Sequence, residues 1–274
     1  NAAQNRFISN VSHELRTPLF NIKSYVETLY DLKDQLSNDE QLEFLGIANS
    51  ETDRLTRLVN DVLDLSRLES GKIVQLEPME IKPAIEQTLR NYRLNATEKD
   101  VSLSQDIEET IPSILGNFDL LLQVFDNLLG NGLKFSPRNS TIKIRAYTWP
   151  DSCPALPPSE KKDTAPSCEL VSPLPKVRIE IADTGSGISQ SDQEKIFDRF
   201  YRVENAVHTE QGTGLGLSIV RGIIEKHGGE IRMASELGVG TTFWFDLPLE
   251  QSDKEELFTQ TINNADDFSS SPIS

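Results

Sequence analysis

The decisive stretch of the sequence is residues 7–19, Phe-Ile-Ser-Asn-Val-Ser-His-Glu-Leu-Arg-Thr-Pro-Leu. Its apolar residues recur every three or four positions, which is the period of an amphipathic helix. His13 lies on that helix beside Glu14, and Pro18 predicts a kink just after them. A neutral imidazole nitrogen can accept a phosphoryl group while an adjacent carboxylate holds the proton of the other ring nitrogen. Most His-Glu pairs on helices are solvated surface, so His13 becomes a candidate acceptor only through its context.

The helix around His13 belongs to a larger helical region. Apolar spacing predicts one helix over residues 1–35 and a second that ends at about Leu68. Ser37-Asn38-Asp39 supplies the turn and the cap between them, and Ser70-Gly71 ends the second helix. Two amphipathic helices with a short connection predict an antiparallel hairpin. A lone hairpin cannot bury both apolar stripes, so we expect a homodimer in which two hairpins form a four-helix bundle.

The pattern changes after Lys72, where shorter alternating stretches replace the long helices. The predicted strands cover residues 73–76, 101–104, 142–147, 177–181, 230–234 and 241–247. The predicted helices cover residues 81–96, 119–135 and 215–227. Strands and helices mixed in this order predict an α/β sandwich domain after the hairpin.

Composition restricts the classes of function. The 274 residues have a formal net charge of −16, which argues against binding nucleic acid or an anionic membrane. An anionic ligand would therefore depend on a metal ion and on backbone N–H groups. No apolar run reaches the roughly 18 residues of a membrane span, and no signal peptide is evident. The chain begins within a helix, so we expect any membrane segment to lie upstream of it.

Two segments have the composition of disordered chain. Residues 148–175 are rich in proline, serine and charge, which predicts a disordered insert, with a partner-docking loop as the alternative. Cys153 and Cys168 lie in this insert and are expected to be reduced thiols, with a disulfide or a metal site as the alternative. Residues 250–274 are polar and acidic, and we expect a disordered tail.

Asn127 and Asn131 lie four residues apart on a strongly apolar predicted helix, so both amides share one face. Amide oxygens can ligate Mg²⁺, which bridges phosphates, and Lys134 can reach a phosphate as a point charge. The alternative is an exposed polar edge, but leucine-rich flanks make amides costly there unless they are used.

Asp183-Thr184-Gly185-Ser186-Gly187 follows a predicted strand. The Asp183 carboxylate can accept a hydrogen bond from the exocyclic amine of adenine, and the glycines allow the backbone to approach the base. An ordinary turn or a cation-binding loop explains the same pattern.

Two further glycine-rich stretches follow. Gly212-Thr213-Gly214-Leu215-Gly216 opens a predicted helix, whose first N–H groups favour phosphate. Its spacing is neither the dinucleotide fingerprint nor a Walker loop. Gly238-Val239-Gly240-Thr241-Thr242 leads into the last strand and by itself is more typical of a hairpin or bulge.

Aromatic residues stand between these glycine motifs. Phe197 and Phe200 are expected to anchor a mobile flap, mainly by packing, and Arg199 or Arg202 can contact phosphate.

Taken in order, these motifs resemble those of the sensor histidine kinases of two-component signalling, over roughly residues 1–249. The matching stretches are the H-box at 12–19, the N-box at 127–135, the G1 box at 183–187, the F-box at 197–200, the G2 box at 212–216 and a further glycine box at 238–242. The chain departs from the family in Gly116-Asn117, where Gly-Asp is frequent, and in Gly132, where alanine is commoner.

The resemblance implies a domain arrangement. Residues 1–70 would be the dimerisation and histidine phosphotransfer hairpin. Residues 72–249 would be an ATP-binding domain of the type shared with Hsp90, gyrase B and MutL, with an ATP lid at 189–211.

The resemblance also implies roles for single residues. His13 would be the phosphoacceptor, Glu14 its acid–base partner and Thr17 the residue supporting phosphatase activity. Asn131 would be the principal Mg²⁺ ligand, with Asn127 beside it. The residues implied in ATP binding are Asn127, Asn131, Lys134, Phe135, Asp183, Gly185, Gly187, Ile188, Arg199, Gly212, Thr213, Gly214, Leu215, Gly216, Leu217 and Thr242.

The function implied is Mg-ATP-dependent autophosphorylation of His13, followed by transfer to an aspartate of a response regulator. The chain would be the cytoplasmic part of a membrane-anchored sensor and would bind no nucleic acid. Two alternatives remain open at this point: an ATPase or molecular clamp of the same ATP-binding fold, and a non-catalytic signalling scaffold.

Overall fold

The fold is seen in a computed structural model that describes residues 2–70, 74–149, 176–203 and 212–250, with only the backbone of residues 2–5. The chain divides into two compact units, Asn1–Ile73 with Ser189–Ile223, and Val74–Ile188 with Ile224–Ser274. Residues 150–175 of the expected insert, residues 204–211 of the expected lid and residues 251–274 of the expected tail lie outside the described residues.

The first unit contains the predicted helical hairpin. Helix α1 runs from Ala2 to Asp31 and α2 from Asn38 to Glu69, and the two helices pack against each other. Ser37 begins α2 with a capping box, because its hydroxyl accepts from the Glu40 N–H and the Glu40 carboxylate accepts from the Ser37 N–H at 2.8 Å. The predicted turn and cap are therefore confirmed, while α1 ends four residues before the predicted position.

Both hairpin helices keep large apolar side chains on the surface of the single chain. The most exposed are Ile8, Leu19, Phe20, Val26, Tyr30, Leu42 and Leu45. Inward residues such as Ala48, Leu58 and Leu65 are buried. The hairpin thus has large apolar side chains that the single chain leaves exposed to solvent.

The second unit is built on a mixed five-stranded sheet. Its strands and those of a small two-stranded sheet are β1 Glu77–Met79, β2 Ser102–Ile107, β3 Ile114–Gly116, β4 Thr141–Trp149, β5 Lys176–Asp183, β6 Ile231–Glu236 and β7 Gly240–Pro248. The large sheet has the order β2-β4-β5-β7-β6, with β2 and β4 parallel and all other neighbours antiparallel. Strands β1 and β3 pair antiparallel in the small sheet.

Helices cover one face of the large sheet. Helix α3 (Lys82–Glu98) packs on α4 (Phe118–Phe135), and α4 contacts β4 and β5. Residues alternate between buried and more exposed along β4, β5 and β7, so each strand turns its apolar side to the core. The Phe125 and Phe245 rings, 6.3 Å apart, join α4 to β7 in that core. The predicted α/β sandwich is confirmed.

Two short helices complete the elements. Helix α5 is the single turn Gln190–Gln193, and α6 runs from Gly216 to Lys226 with Ile219, Val220 and Ile223 buried.

One predicted strand was misplaced. The strand expected at 73–76 begins instead at Glu77, and its partner β3 was not predicted at all. Each strand has three residues and is defined by backbone pairing, so neither has enough length to show alternation.

Candidate functional site

The His13 side chain lies on the surface of α1. Its Nδ1 is 4.0 Å from Glu14 Oε1, and the imidazole is 76% exposed while the Glu14 side chain is 30% exposed. The carboxylate therefore approaches one ring nitrogen, and the ring remains accessible. Thr17 lies one turn later, where its hydroxyl donates to the His13 carbonyl at 3.4 Å.

Helix α2 adds two charged residues to this neighbourhood. Arg54 Nη2 lies 3.8 Å from Glu14 Oε2, and Arg54 Nη1 lies 3.8 Å from Glu51 Oε2. Neither residue was singled out from the sequence. The available signal was Glu51 itself, because this carboxylate falls on the inward period of α2 between Ala48 and Leu58.

The two candidate magnesium ligands lie on α4, which is fixed at both ends. At its start the Asn117 side chain accepts from the Leu120 N–H at 3.1 Å. The Asn117 N–H donates to Nε2 of the buried His227 at 3.0 Å. At its end Lys99 Nζ donates to the carbonyl of Lys134 at 2.9 Å, an arrangement that also suits the helix dipole.

The amides of Asn127 and Asn131 are half-buried on this helix. Asn127 Nδ2 donates to the Gln123 carbonyl at 2.9 Å, so Oδ1 is the amide atom suited to a cation. Among the residues that the structure describes, no three His, Cys, Asp or Glu side chains gather into a metal site. A neutral amide pair fits Mg²⁺ when phosphates and waters supply its other ligands.

Asp183 ends β5 and begins a tight turn. Its Oδ1 accepts from the Gly185 N–H at 2.8 Å. Burial raises the pKa of the Asp183 carboxyl above its ordinary value, and hydrogen bonds from the Gly185 and Thr241 backbone oppose that rise. The turn thus presents a partly desolvated carboxylate whose direction is fixed by its own backbone.

Backbone segments approach this turn very closely. Gly187 has φ +68°, and a Cβ on it would lie 2.0 Å from the Glu236 carbonyl oxygen. A Cβ on Gly240 would lie 2.1 Å from the Asp183 carbonyl oxygen. The Ile188 N–H donates to Ser235 Oγ at 2.8 Å. The two glycine motifs contact each other so closely that Gly187 and Gly240 must be glycine.

Three of the sequence motifs come together in the second unit. The Phe135 carbonyl at the end of α4 accepts from the Ser186 N–H at 3.2 Å, and the Ser186 carbonyl accepts from the Gly238 N–H at 2.7 Å. Thr242 pairs in register with Ala182, next to Asp183. Lys134 Nζ lies 4.9 Å from the centre of the Phe135 ring.

The Gly212–Leu217 stretch belongs to the first unit. Gly214 has φ +71° and its carbonyl accepts from the Phe200 N–H at 2.9 Å. Thr213 Oγ1 donates to Asp61 of α2 and accepts from the Leu215 N–H at 3.2 Å. Arg199 forms an ion pair with Glu69. These two candidate ATP residues thus contact the hairpin.

Two family models match the chain. The His Kinase A (phospho-acceptor) domain matches residues 3–71, and the histidine kinase-, DNA gyrase B- and HSP90-like ATPase matches residues 116–251.

Curated relatives match nearly the whole chain. An uncharacterized sensor-like histidine kinase, ycf26, of Pyropia yezoensis is 56% identical over 90% of this chain. Drug sensory protein A of Synechocystis is 54% identical over 92% of it. Sensor protein kinase WalK of Staphylococcus aureus is 34% identical over 89% of this chain and 53% of its own length. The chain spans 36% of the length of each of the first two relatives.

Solved structures have the same fold. Full-length ShkA in complex with AMPPNP aligns with a TM-score of 0.59 at 27% identity, covering 89% of this chain and 45% of ShkA. The histidine kinase ThkA in complex with response regulator protein TrrA aligns with a TM-score of 0.65 at 22% identity, covering 89% of this chain and 61% of that one. Within the described parts of this chain, every helix is too short or too polar to cross a membrane.

Proposed function

The chain belongs to the sensor histidine kinases of two-component signalling, and we propose that it transfers the γ-phosphoryl group of ATP to His13 and then to an aspartate of a response regulator. The observation that carries this proposal is the accessible His13 imidazole with a carboxylate oxygen 4.0 Å from Nδ1. A carboxylate on that side favours a proton on Nδ1 and leaves the Nε2 lone pair as the nucleophile.

The transfer then follows from the chemistry of the two side chains. His13 Nε2 forms a bond to the γ-phosphorus while the bond between that phosphorus and the bridging oxygen breaks, and ADP leaves. The Nδ1 proton of the resulting imidazolium passes to Glu14. The protein contributes mainly positioning and charge neutralisation to such a transfer.

The residues around Asp183 are suited to hold the base of ATP. The Asp183 carboxylate would accept from the exocyclic amine of adenine, and Gly185, Gly187 and Ile188 supply the close backbone around it. Thr242 lies beside this turn in the sheet register.

Helix α4 would hold the phosphate side. Asn131 and Asn127 are the proposed Mg²⁺ ligands, since their amide oxygens match the preference of that ion. Bound Mg²⁺ would neutralise charge on the phosphates. Lys134 would add a cation and Phe135 an apolar contact at the end of the helix.

The start of α6 would bind phosphate through its first N–H groups. The residues proposed to contribute there are Gly212, Thr213, Gly214, Leu215, Gly216 and Leu217. Arg199 is the proposed side-chain cation.

The hairpin surface and the family support two proposed partners. The exposed apolar residues of α1 and α2 support a homodimer in which two hairpins form a four-helix bundle. A receiver domain of a response regulator would take the phosphoryl group from His13. Thr17, exposed one turn after His13, is proposed to support phosphatase activity on that regulator by orienting a water. We further propose that the chain is the cytoplasmic part of a longer, membrane-anchored protein.

The test is incubation with ATP carrying a labelled γ-phosphate, in the presence of Mg²⁺. An acid-labile, base-stable label on the wild type that is absent from His13→Gln is expected. ATP hydrolysis without covalent label would instead identify an ATPase or clamp. Failure to bind nucleotide would leave a signalling scaffold.

A further inference from the structure

A row of three charged side chains leads from His13 across the hairpin. Glu14 directs Oε1 toward His13 Nδ1 and Oε2 toward Arg54 Nη2, at 4.0 and 3.8 Å. Arg54 then reaches Glu51 with its other terminal nitrogen, also at 3.8 Å. The charges alternate along the row as negative, positive and negative. One carboxylate thus connects the phosphoryl acceptor on α1 with a cation on α2.

The far end of the row is the most buried. The Glu51 side chain is 9% exposed and that of Arg54 is 17% exposed, against 76% for His13. Glu51 Oε2 accepts no hydrogen bond among the described residues. An ionised carboxylate in such a place is costly unless a cation stands beside it, and Arg54 is that cation. Glu51 therefore holds the guanidinium on the inner side of α2, where it faces α1.

Glu14 needs such a partner. A glutamate side chain has three rotatable bonds, and a glutamate beside a surface histidine is also in contact with water. Ordering it costs conformational entropy, and that cost must be offset by contacts. Glu51 holds the Arg54 guanidinium in place. The guanidinium therefore attracts one Glu14 oxygen in a fixed direction, and the other Glu14 oxygen remains directed toward the imidazole.

We propose that Arg54 is a positioning residue for phosphoryl transfer to His13, and that Glu51 holds Arg54 in place for this role. The inference rests on the proposed function. In this role Arg54 acts through Glu14 and does not itself contact ATP or the reacting atoms. It keeps the Glu14 carboxylate on the Nδ1 side of His13, so that Nε2 carries the lone pair and the Nδ1 proton has an acceptor as the bond to phosphorus forms.

The experiment is a double-mutant cycle on the complete chain with labelled ATP and Mg²⁺. The variants are Glu14→Gln, Arg54→Met and the two combined. Since general acid–base assistance contributes about 10²- to 10⁴-fold, Arg54→Met should slow maximal labelling about tenfold or more. Its KM for ATP should stay within about twofold of the wild-type value, because the substitution does not change the binding of ATP in the ground state. In the Glu14→Gln background Arg54→Met should have no further effect.

A merely structural role would give a different pattern. If the two substitutions slow labelling by factors that multiply, or if Arg54→Met changes only KM, then Arg54 does not act through Glu14 and the inference is wrong. A wild type that is not labelled on His13 would overturn the proposed function instead. A labelled wild type with equal labelling by Arg54→Met would overturn the inference alone.

Matched variants separate positioning from folding. Arg67 lies on the same helix, pairs with Asp64 at the same i,i+3 spacing and is 75% exposed, so Arg67→Met should label at the wild-type rate. Arg54→Lys keeps the charge without the planar fork and should recover part of the rate. If Arg54→Met does not fold, Arg54→Lys and Glu51→Gln replace it. Glu51→Gln should also slow labelling in a Glu14-dependent manner, and unaltered labelling by both would contradict the proposal.

Discussion

Thr213 and Asp61 are separated by 152 residues in the sequence, yet Thr213 Oγ1 donates a hydrogen bond of 2.5 Å to Asp61 Oδ2. Two further contacts join the hairpin to residues 199 and 200 of the same unit. Arg199 pairs with Glu69, and the Phe7 and Phe200 rings lie 5.8 Å apart. The stretch proposed to bind phosphate is therefore attached to α2 through the Asp61 carboxylate, whose titration makes the free energy of unfolding depend on pH.

The first prediction concerns Asp61. Burial raises the pKa of Asp61, with a further rise from Asp64, while the Thr213 hydrogen bond and Arg57 oppose it. An acid with a raised folded pKa binds more protons when folded. Its stabilising contribution is therefore complete below its unfolded value of 3.8 and is lost as pH rises through the folded value.

Asp61→Asn should remove this loss, because the amide oxygen can still accept from Thr213. The free energy of unfolding of the variant, relative to wild type, should increase as pH rises above 4, as measured by urea unfolding over a pH series. Asp53→Asn, an exposed substitution on the same helix, is the control. A difference between Asp61→Asn and wild type that does not vary with pH would contradict the prediction.

The second prediction separates binding from folding at Asp183. Burial raises its pKa, so the ionised carboxylate lowers stability at neutral pH, and this effect is absent below the unfolded value of 3.8. Asp183→Asn should bind ATP at least about tenfold more weakly, since a hydrogen bond to a charged group contributes about 1.5–3 kcal/mol. Its unfolding free energy at pH 7 should be equal or higher.

Calorimetric titration with ATP and urea unfolding measure the two quantities for Asp183→Asn. Asp106→Asn is the matched control, because Asp106 is exposed on β2 and pairs with Lys143 at 2.8 Å. Unchanged ATP affinity in Asp183→Asn would remove this carboxylate from the adenine site.

The third prediction compares two glycines. Gly187→Ala would place a Cβ 2.0 Å from the Glu236 carbonyl at φ +68°, so the turn must shift or unfold, at a cost of about 2 kcal/mol or more. Gly46 lies within α2, and beyond the backbone of its own helix nothing lies within 4 Å of its Cβ position, so Gly46→Ala should stabilise by about 0.5–1 kcal/mol. Urea unfolding of both variants checks the contrast, and equal effects would contradict it.

The sequence predicts those features of the fold that depend on local pattern. Long apolar periods located α1, α2 and α4, and the Ser37 cap was visible in the residues themselves. The Glu51–Arg54–Glu14 row was not predicted, because it depends on how two helices are rotated against each other. Motif residues such as Asp183 could be named from the chain, whereas the contact of their glycines with Glu236 could not.

The last prediction concerns a contact that no motif indicated. His227 is 1% exposed, and its Nε2 accepts the Asn117 N–H at the start of α4, so the ring proton resides on Nδ1. His227→Phe should cost about 1–3 kcal/mol, because a donor N–H loses its acceptor. Since α4 carries Asn127 and Asn131, ATP affinity should fall as well. His227→Gln can still accept through its amide oxygen and should recover part of both losses in urea unfolding and ATP titration. A Phe variant that keeps more stability and ATP affinity than the Gln variant would show that ring packing, rather than the hydrogen bond to Asn117, holds the start of the helix.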